Sequence, residues 1–221
     1  MRINADFAKR VLVRFEATAW VPSPSAGVER KMLDRIGDEV ARATSIVRFA
    51  PGSAFAPHTH DGGEEYLVLE GTFQDETGDF PAGSYVRNPP TSRHRPAAAE
   101  GATILVKLHQ FDPADRTHVR IDTTGADWAA EEGRPGVSVL PLFADAGETV
   151  RMERWAPGAS VAVAGLGGLE LFVLSGTVEE GGDRLERWDW LRLPPGRPFR
   201  GTAGPGGAEA WIKTGHLRHL A

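Results

Sequence analysis

The chain repeats itself, and that repeat limits what it can fold into. Arg48-Phe49-Ala50-Pro51-Gly52 returns as Arg154-Trp155-Ala156-Pro157-Gly158. The stretch from Gly62 to Thr72, GGEEYLVLEGT, is echoed from Gly167 to Thr177 as GGLELFVLSGT. Tyr85-Val86-Arg87-Asn88-Pro89-Pro90 becomes Trp190-Leu191-Arg192-Leu193-Pro194-Pro195, and Val106-Lys107 becomes Ile212-Lys213. The blocks keep their order at an offset of 105 or 106, so small insertions alone separate two similar domains. The first domain is expected over 1–111, a linker over 112–135 and the second domain over 136–221.

Each copy reads as strands. Ala41 to Phe49 and Thr149 to Trp155 mix alternating and β-branched residues, while Tyr66 to Leu69 and Leu171 to Leu174 are short apolar runs of the kind found in buried strands. Pro89-Pro90 and Pro194-Pro195 punctuate hairpins. Alternation of Val13, Phe15 and Ala17 against Arg14, Glu16 and Thr18 predicts a strand before Ser23. No long apolar stripe of helical period follows any candidate cap. The 26 glycines and 16 prolines among 221 residues suit many short strands joined by turns. With 41% hydrophobic residues the chain has material for a core. The expectation is an all-β protein of two tandem antiparallel barrels.

Composition removes several classes of function. A formal charge of -5 argues against a nucleic-acid or anionic-membrane partner. The absence of cysteine rules out disulfides, thiolate zinc sites and thiol catalysis, and fits a reducing cytoplasm. No signal-peptide pattern opens the chain, and no apolar run approaches the ~18 residues of a membrane span. The sequence holds no G-x-S-x-G elbow and no Walker sequence. Gly165-Leu166-Gly167-Gly168 lacks the strand-then-helix setting of a nucleotide loop and aligns with the turn of the first copy that follows His60.

The first copy instead gathers potential metal ligands. His58 and His60, at i and i+2, share one face of a strand. Glu64 can return to that face once Gly62 and Gly63 have let the chain turn, and Gly71 allows a tight bend at the end of the next strand. Neutral imidazoles with a carboxylate suit a first-row divalent metal. Tyr66 and Val68 share the phase of Glu64 and are candidates to line a pocket, whereas Glu65 is expected to face outward. His109, His118, His216 and His219 have no motif around them and read as ordinary surface or strand residues.

The run Gly52, five residues, His58, one, His60, three, Glu64, six, Gly71 matches the first cupin motif at every fixed position, and by it the chain resembles a cupin, a small antiparallel barrel with a metal in its mouth. Of the second cupin motif Pro81-Ala82-Gly83 is kept, but Val86 stands where a histidine is usual. A hairpin centred near Pro90 would set Val86 opposite His94, moving the fourth ligand to the neighbouring strand. That displaced histidine, together with HTHDGGEEYLVLEG, GSYVRNPPTSRHRP and WVPSPSAGVERKMLDR, is similar to the ChrR-type cupin family, well over residues 20 to 111 and weakly in the second copy. The resemblance implies a bicupin with one divalent metal on His58, His60, Glu64 and His94. Zinc is the first choice, with iron, manganese or nickel as alternatives.

What such a site does depends on its coordination. Four protein ligands close a tetrahedral zinc site, whereas an octahedral metal keeps two positions open. The family takes its name from the cupin-like domain of an anti-sigma factor that also carries a zinc-binding helical domain built with His and Cys. Without cysteine, sigma-factor inhibition is not expected here. The expectation is therefore a metal-binding sensory cupin, with an iron dioxygenase acting on a small carbonyl or phenolic compound as the alternative. No second acid or base stands out near the motif. Both readings leave room for a small-molecule ligand and a homodimer.

The second copy is expected to hold no metal. His58 aligns there with Val163 or Ala164, His60 with Gly165 or Leu166, Glu64 with Leu169 or Glu170, and His94 with Phe199. Glu170 is the one carboxylate left, and its phase is that of Glu65. Val163, Leu166 and Phe199 read as filling for a barrel interior.

Overall fold

The computed structural model describes residues 1–218 and 220, and among them it contains strands and no helix. His219, read above as an ordinary residue, lies outside the described residues. Two compact units form. The first takes Met1–Ala5 and Ala19–Ala126; the second takes Asp6–Thr18 and the chain from Asp127 onward.

In the first unit the main sheet runs in the order Arg2–Ile3, Val28–Gly37, Ala41–Phe49, Ala102–Leu108, Glu64–Asp75, Ser84–Asn88, Val119–Asp122. The second unit repeats it as Ala129–Ala130, Val137–Ala144, Thr149–Trp155, Phe199–Thr214, Leu169–Glu180, Trp190–Leu193, Val11–Val13. Neighbours in both sheets are antiparallel. The strands expected at Ala41–Phe49 and Thr149–Trp155 have those same bounds. Within each unit a tryptophan lies under the arginine of the repeated R-F/W-A-P-G block. Arg48 stacks 4.3 Å above Trp20, and Arg154 3.9 Å above Trp128.

The boundaries differ from those expected. Residues 6–18 lie between the two segments of the first unit in sequence but belong to the second, whose sheet they extend when Val11–Val13 pairs with Trp190–Leu193. The region taken as a linker carries two strands, and one of them, Val119–Asp122, covers the outer edge of Ser84–Asn88. Strand Val11–Val13 stops short of the predicted alternation, because Phe15 to Thr18 form a turn held by Asp189, whose Oδ1 accepts the Phe15 N–H at 2.8 Å. An isolated three-residue arm carries too weak a pattern to reveal its partner. Pairing with a sheet edge, and so satisfying that edge's backbone groups, gives it a place.

The strand Glu64–Asp75 is central to the first unit. Glu64, Tyr66 and Val68 face one side and Glu65 and Leu67 the other, and all five are buried. Glu65 therefore points away from Glu64 as expected, but into protein rather than solvent. Its Oε1 accepts the Tyr85 hydroxyl at 2.7 Å, and Arg87 lies 3.9 Å from Oε2. Gly71, at φ +71°, bends this strand instead of ending it, and a Cβ there would strike the Gly101 carbonyl. The ladder slips beside it. Ile104 pairs with Val68 and Thr103 with Glu70, which leaves Leu69 as an extra residue in a β-bulge.

The second unit repeats the bulge, since Val173 pairs with Ala210 and Ser175 with Glu209. Its core takes in Val163, Leu169 and Phe199, and Phe199 is fully buried 5.7 Å from the Trp155 ring. Leu166 departs from the expectation. It is 86% exposed at the tip of a turn and fills nothing. Replacing Phe199 with Ala should lower stability by ~3–5 kcal/mol. Urea unfolding of that variant, with its metal content measured in parallel, checks that the loss is confined to packing: the metal bound per chain should not change.

Candidate metal centre

Two short strands set up the site. His58–His60 pairs antiparallel with Ser92–His94 in a sheet of its own, with His94 opposite His58 and Ser92 opposite His60. Directly opposed residues of an antiparallel pair have neighbouring side chains on one face, and His60 shares that face two positions along. The expected route for His94 is thereby corrected. Val86 lies opposite Tyr66 and Arg120, not opposite His94. After Pro89-Pro90 the chain leaves the main sheet, turns at Thr91 with φ +73°, and pairs with the histidine strand. The Thr91 N–H donates to the His60 carbonyl at 2.9 Å and fixes that register.

The imidazoles converge. One ligand atom from each of His58, His60 and His94 lies within 4.8 Å of the others. Nε2 of His60 and Nε2 of His94 stand 2.8 Å apart, and Glu64 Oε2 is 3.5 Å from each. Two atoms bound to one first-row ion at ~2.0–2.2 Å cannot be farther apart than ~4.4 Å, so these three atoms fit a common centre. The two buried imidazoles are 7% and 4% exposed, whereas His58 is open to solvent. His58 Nδ1 lies 3.2 Å from the Ala56 carbonyl, which leaves Nε2 as its free nitrogen. Asn88 Nδ2 donates to Glu64 Oε2 at 3.3 Å.

Burial sets the electrostatics. It depresses His60 to about 4, with His58 and His109 adding to the shift, and it lowers His94 as well. Both rings are therefore neutral and able to donate a lone pair at neutral pH. Burial also raises the Glu64 carboxyl, against the opposing pull of His94, the Asn88 hydrogen bond and His58. Tyr66, on the same face as Glu64, is raised by burial too, and its hydroxyl has no hydrogen-bond partner among the described residues. Its ring packs edge-on against Phe73 at 5.1 Å, as part of the core cluster that also holds Val68.

A second acid does stand beside the motif, contrary to the sequence expectation. Asp75 Oδ2 lies 3.4 Å from His94 Nδ1, with its side chain 4% exposed. Strict alternation from Glu64 puts position 75 on the opposite face; the bulge at Leu69 reverses the phase and turns Phe73 and Asp75 inward. Of the other histidines, His118 is exposed and His109 is half-buried at φ +54° beside Gly62. His216 is not a surface residue. Its side chain is 3% exposed, with Nε2 2.8 Å from Glu170 Oε1.

The second unit has lost the centre position by position. Val163 opposite Phe199 replaces His58 opposite His94, and Leu169 opposite Leu193 replaces Glu64 opposite Asn88. His60 corresponds to Gly165, where a Cβ would collide with the Arg197 carbonyl. Glu170 lies opposite Arg192 as Glu65 lies opposite Arg87, so the surviving carboxylate is on the other face, as expected.

The chain is similar in sequence and in fold to known proteins. The family profile described as the ChrR cupin-like domain matches residues 8–112 and 116–219. The anti-sigma-E factor ChrR of Cereibacter sphaeroides is 34% identical over 100 residues, which are 45% of this chain and 45% of that protein. The match thus spans less than half the length of that relative. A putative dioxygenase from Nostoc punctiforme has the same fold at a TM-score of 0.80 and 16% identity, over 97% of this chain and 85% of that one. A bacterial pirin from Escherichia coli in complex with nickel(II) superposes at 0.64 with 14% identity, over 94% and 99% of the two chains.

The depressed His60 makes the metal-free fold sensitive to acid. Between pH 6.5 and about 4 the unfolded chain takes up a proton at His60 that the folded chain refuses, so stability falls as pH falls, by up to about 3 kcal/mol. Glu64 acts the other way: its raised carboxyl lets the folded state take up a proton first, which offsets part of the loss. Urea midpoints of metal-free wild type and His60→Gln across that window should show a flatter decline in the variant. Equal slopes would place the acid sensitivity elsewhere.

Proposed function

This chain belongs to the ChrR cupin-like domain family, and on that premise we propose that it is a metal-binding sensory cupin whose first unit holds one divalent ion on His58, His60, Glu64 and His94. The convergence of three imidazoles on one point, with a buried carboxylate 3.5 Å from two of them, carries this reading. Each neutral imidazole contributes a lone pair, and Glu64 contributes the charge that makes a divalent cation favourable in a buried position. The bound metal would supply Lewis acidity.

Zinc with four protein ligands is the form of the site we favour for a sensor. Such a site is closed, and it changes state when a ligand is displaced or oxidised. The second unit then serves as an apolar partner domain without metal, since Val163, Leu169 and Phe199 fill its corresponding space. The anti-sigma relative supports a sensory role. Its sigma-binding function is not carried over to this chain, whose similarity is confined to part of that protein.

A second reading is an iron dioxygenase acting on a small carbonyl or phenolic compound. The fold shared with a putative dioxygenase supports it, as does the Tyr66 hydroxyl, buried on the Glu64 face without a partner among the described residues. A donor placed there would orient a substrate oxygen.

Metal analysis of protein purified without added metal distinguishes the readings. One zinc per chain is expected, falling steeply in His58→Ala, His94→Ala and Glu64→Ala and unchanged in Phe199→Ala. Full metal content in His94→Ala would remove that residue from the site. Iron in its place, with oxygen uptake on a diketone or hydroxyaryl ketone that vanishes in Glu64→Ala, would establish the enzyme instead.

A further inference from the structure

Asp75 stands eleven residues beyond Glu64 on the same strand, at the end of a hairpin whose other side begins at Gly78. Its two oxygens face different ways. Oδ1 accepts the Thr77 N–H at 2.7 Å and also the Thr77 hydroxyl, so the turn holds the carboxylate in place. Oδ2 is left facing His94 Nδ1 at 3.4 Å. The other nitrogen of that ring, Nε2, is the one that meets His60 Nε2 and Glu64. The lone pairs of the two ring nitrogens diverge, so a carboxylate on the Nδ1 side addresses the far edge of the ring from the metal.

We propose that Asp75 is a positioning residue for the metal centre, accepting the Nδ1 proton of His94 and thereby holding the ring in the tautomer whose Nε2 lone pair points at the ion. This rests on the metal-site reading above. An imidazole with one proton has two tautomers, and only one presents a lone pair at Nε2. A carboxylate beyond the ligand selects that tautomer, fixes the ring's rotation and makes the ligand more basic. His58 obtains the same service from a backbone carbonyl, at Ala56. His94 reaches the site from a three-residue strand that follows a proline turn, and Asp75 secures it from the neighbouring hairpin.

The second unit shows what this position does when no imidazole is present. Its corresponding hairpin strand runs Leu169–Glu180, and Glu180 lies opposite Asp183 as Asp75 lies opposite Gly78. Glu180 there accepts from Arg10 at 2.8 Å, with Arg197 3.8 Å away. The hairpin-end carboxylate is thus buried in both copies, serving a guanidinium in one and an imidazole in the other.

The test is zinc affinity of the full chain, measured by chelator competition, alongside the imidazole N–H signals of zinc-loaded protein. Asp75→Ala should weaken zinc binding by ~10–100-fold, the usual effect of losing such an outer carboxylate. The Nδ1–H signal of His94 should exchange away in that variant. Asp75→Asn keeps an acceptor oxygen and should retain both the signal and most of the affinity. Asp79→Ala, which removes the cross-strand contact from Gln74 at 2.6 Å in the same hairpin without touching Asp75 or His94, should bind zinc as wild type does, and equal loss there would mean that the hairpin rather than the Nδ1 contact matters. His94→Ala separates the two levels of the argument. If it keeps its zinc, the metal site itself is wrongly assigned. If it loses zinc while Asp75→Ala binds within about twofold of wild type with an unchanged Nδ1–H signal, the positioning role alone is overturned.

Discussion

A carboxylate taken out of water costs several kcal/mol unless a cation or a full set of donors meets it. Glu64 is buried in the first unit, where Asn88 donates to it at 3.3 Å, and the side chain of Asp75 is buried 3.4 Å from His94. Between the two carboxylates lie imidazoles that burial keeps neutral. Neutral imidazoles beside these carboxyl groups form a cluster that could hold a divalent cation. The short strands around it, His58–His60 and Ser92–His94, have little apolar surface of their own to hold them in place. Ion binding would therefore contribute to their stability by linkage, since a ligand that binds the folded state alone stabilises it.

The two units show how one scaffold carries that cluster or replaces it. Strand order, bulge and hairpin are common to both. Among the differences are the positions that face the site. Val163, Leu169, Leu193 and Phe199 fill the second unit where the first has His58, Glu64, Asn88 and His94, and their burial contributes ~1.5–3 kcal/mol for each large side chain. Both units have a hydrophobic core, but at these positions the second adds apolar side chains to it where the first places polar ones. The backbone beside the histidine strands differs as well. Thr91 and His109 sit at positive φ next to the histidine strands, where the second unit has Gly196 and Gly215. Non-glycine residues in that conformation persist where the surroundings over-determine them, and such places cluster at functional sites.

Much of this was legible in the residues. Offsets of 105 and 106 gave the two copies, and the strands at Ala41–Phe49 and Thr149–Trp155 followed from their patterning. The i, i+2 rule placed His58 and His60 together, and the phase of Glu170 against Glu65 held. Two misses were of one kind, because each needed to know which strand a residue would pair with. Val11–Val13 joins a sheet whose other strands are more than a hundred residues away, and Val119–Asp122 lies in a stretch without strand-like alternation. Leu166 was read as filling because it is apolar, but it occupies the turn between two strands and points to water.

The sequence by itself determined the chemistry: which side chains can bind a metal, which copy lacks them, and how far apart along the chain they stand. Only the tertiary structure decided which of them share a face. His94 reaches His58 because its strand leaves Ser84–Asn88 and pairs elsewhere, a choice set by the backbone of Thr91 and His60. Asp75 turns toward His94 because one unpaired residue, Leu69, shifts the alternation of its strand by one. Side chains alternate with a period of two, so a single extra residue moves everything after it to the other face. Counting along the chain cannot reveal such a slip, since a bulge is a property of two paired strands and not of either alone.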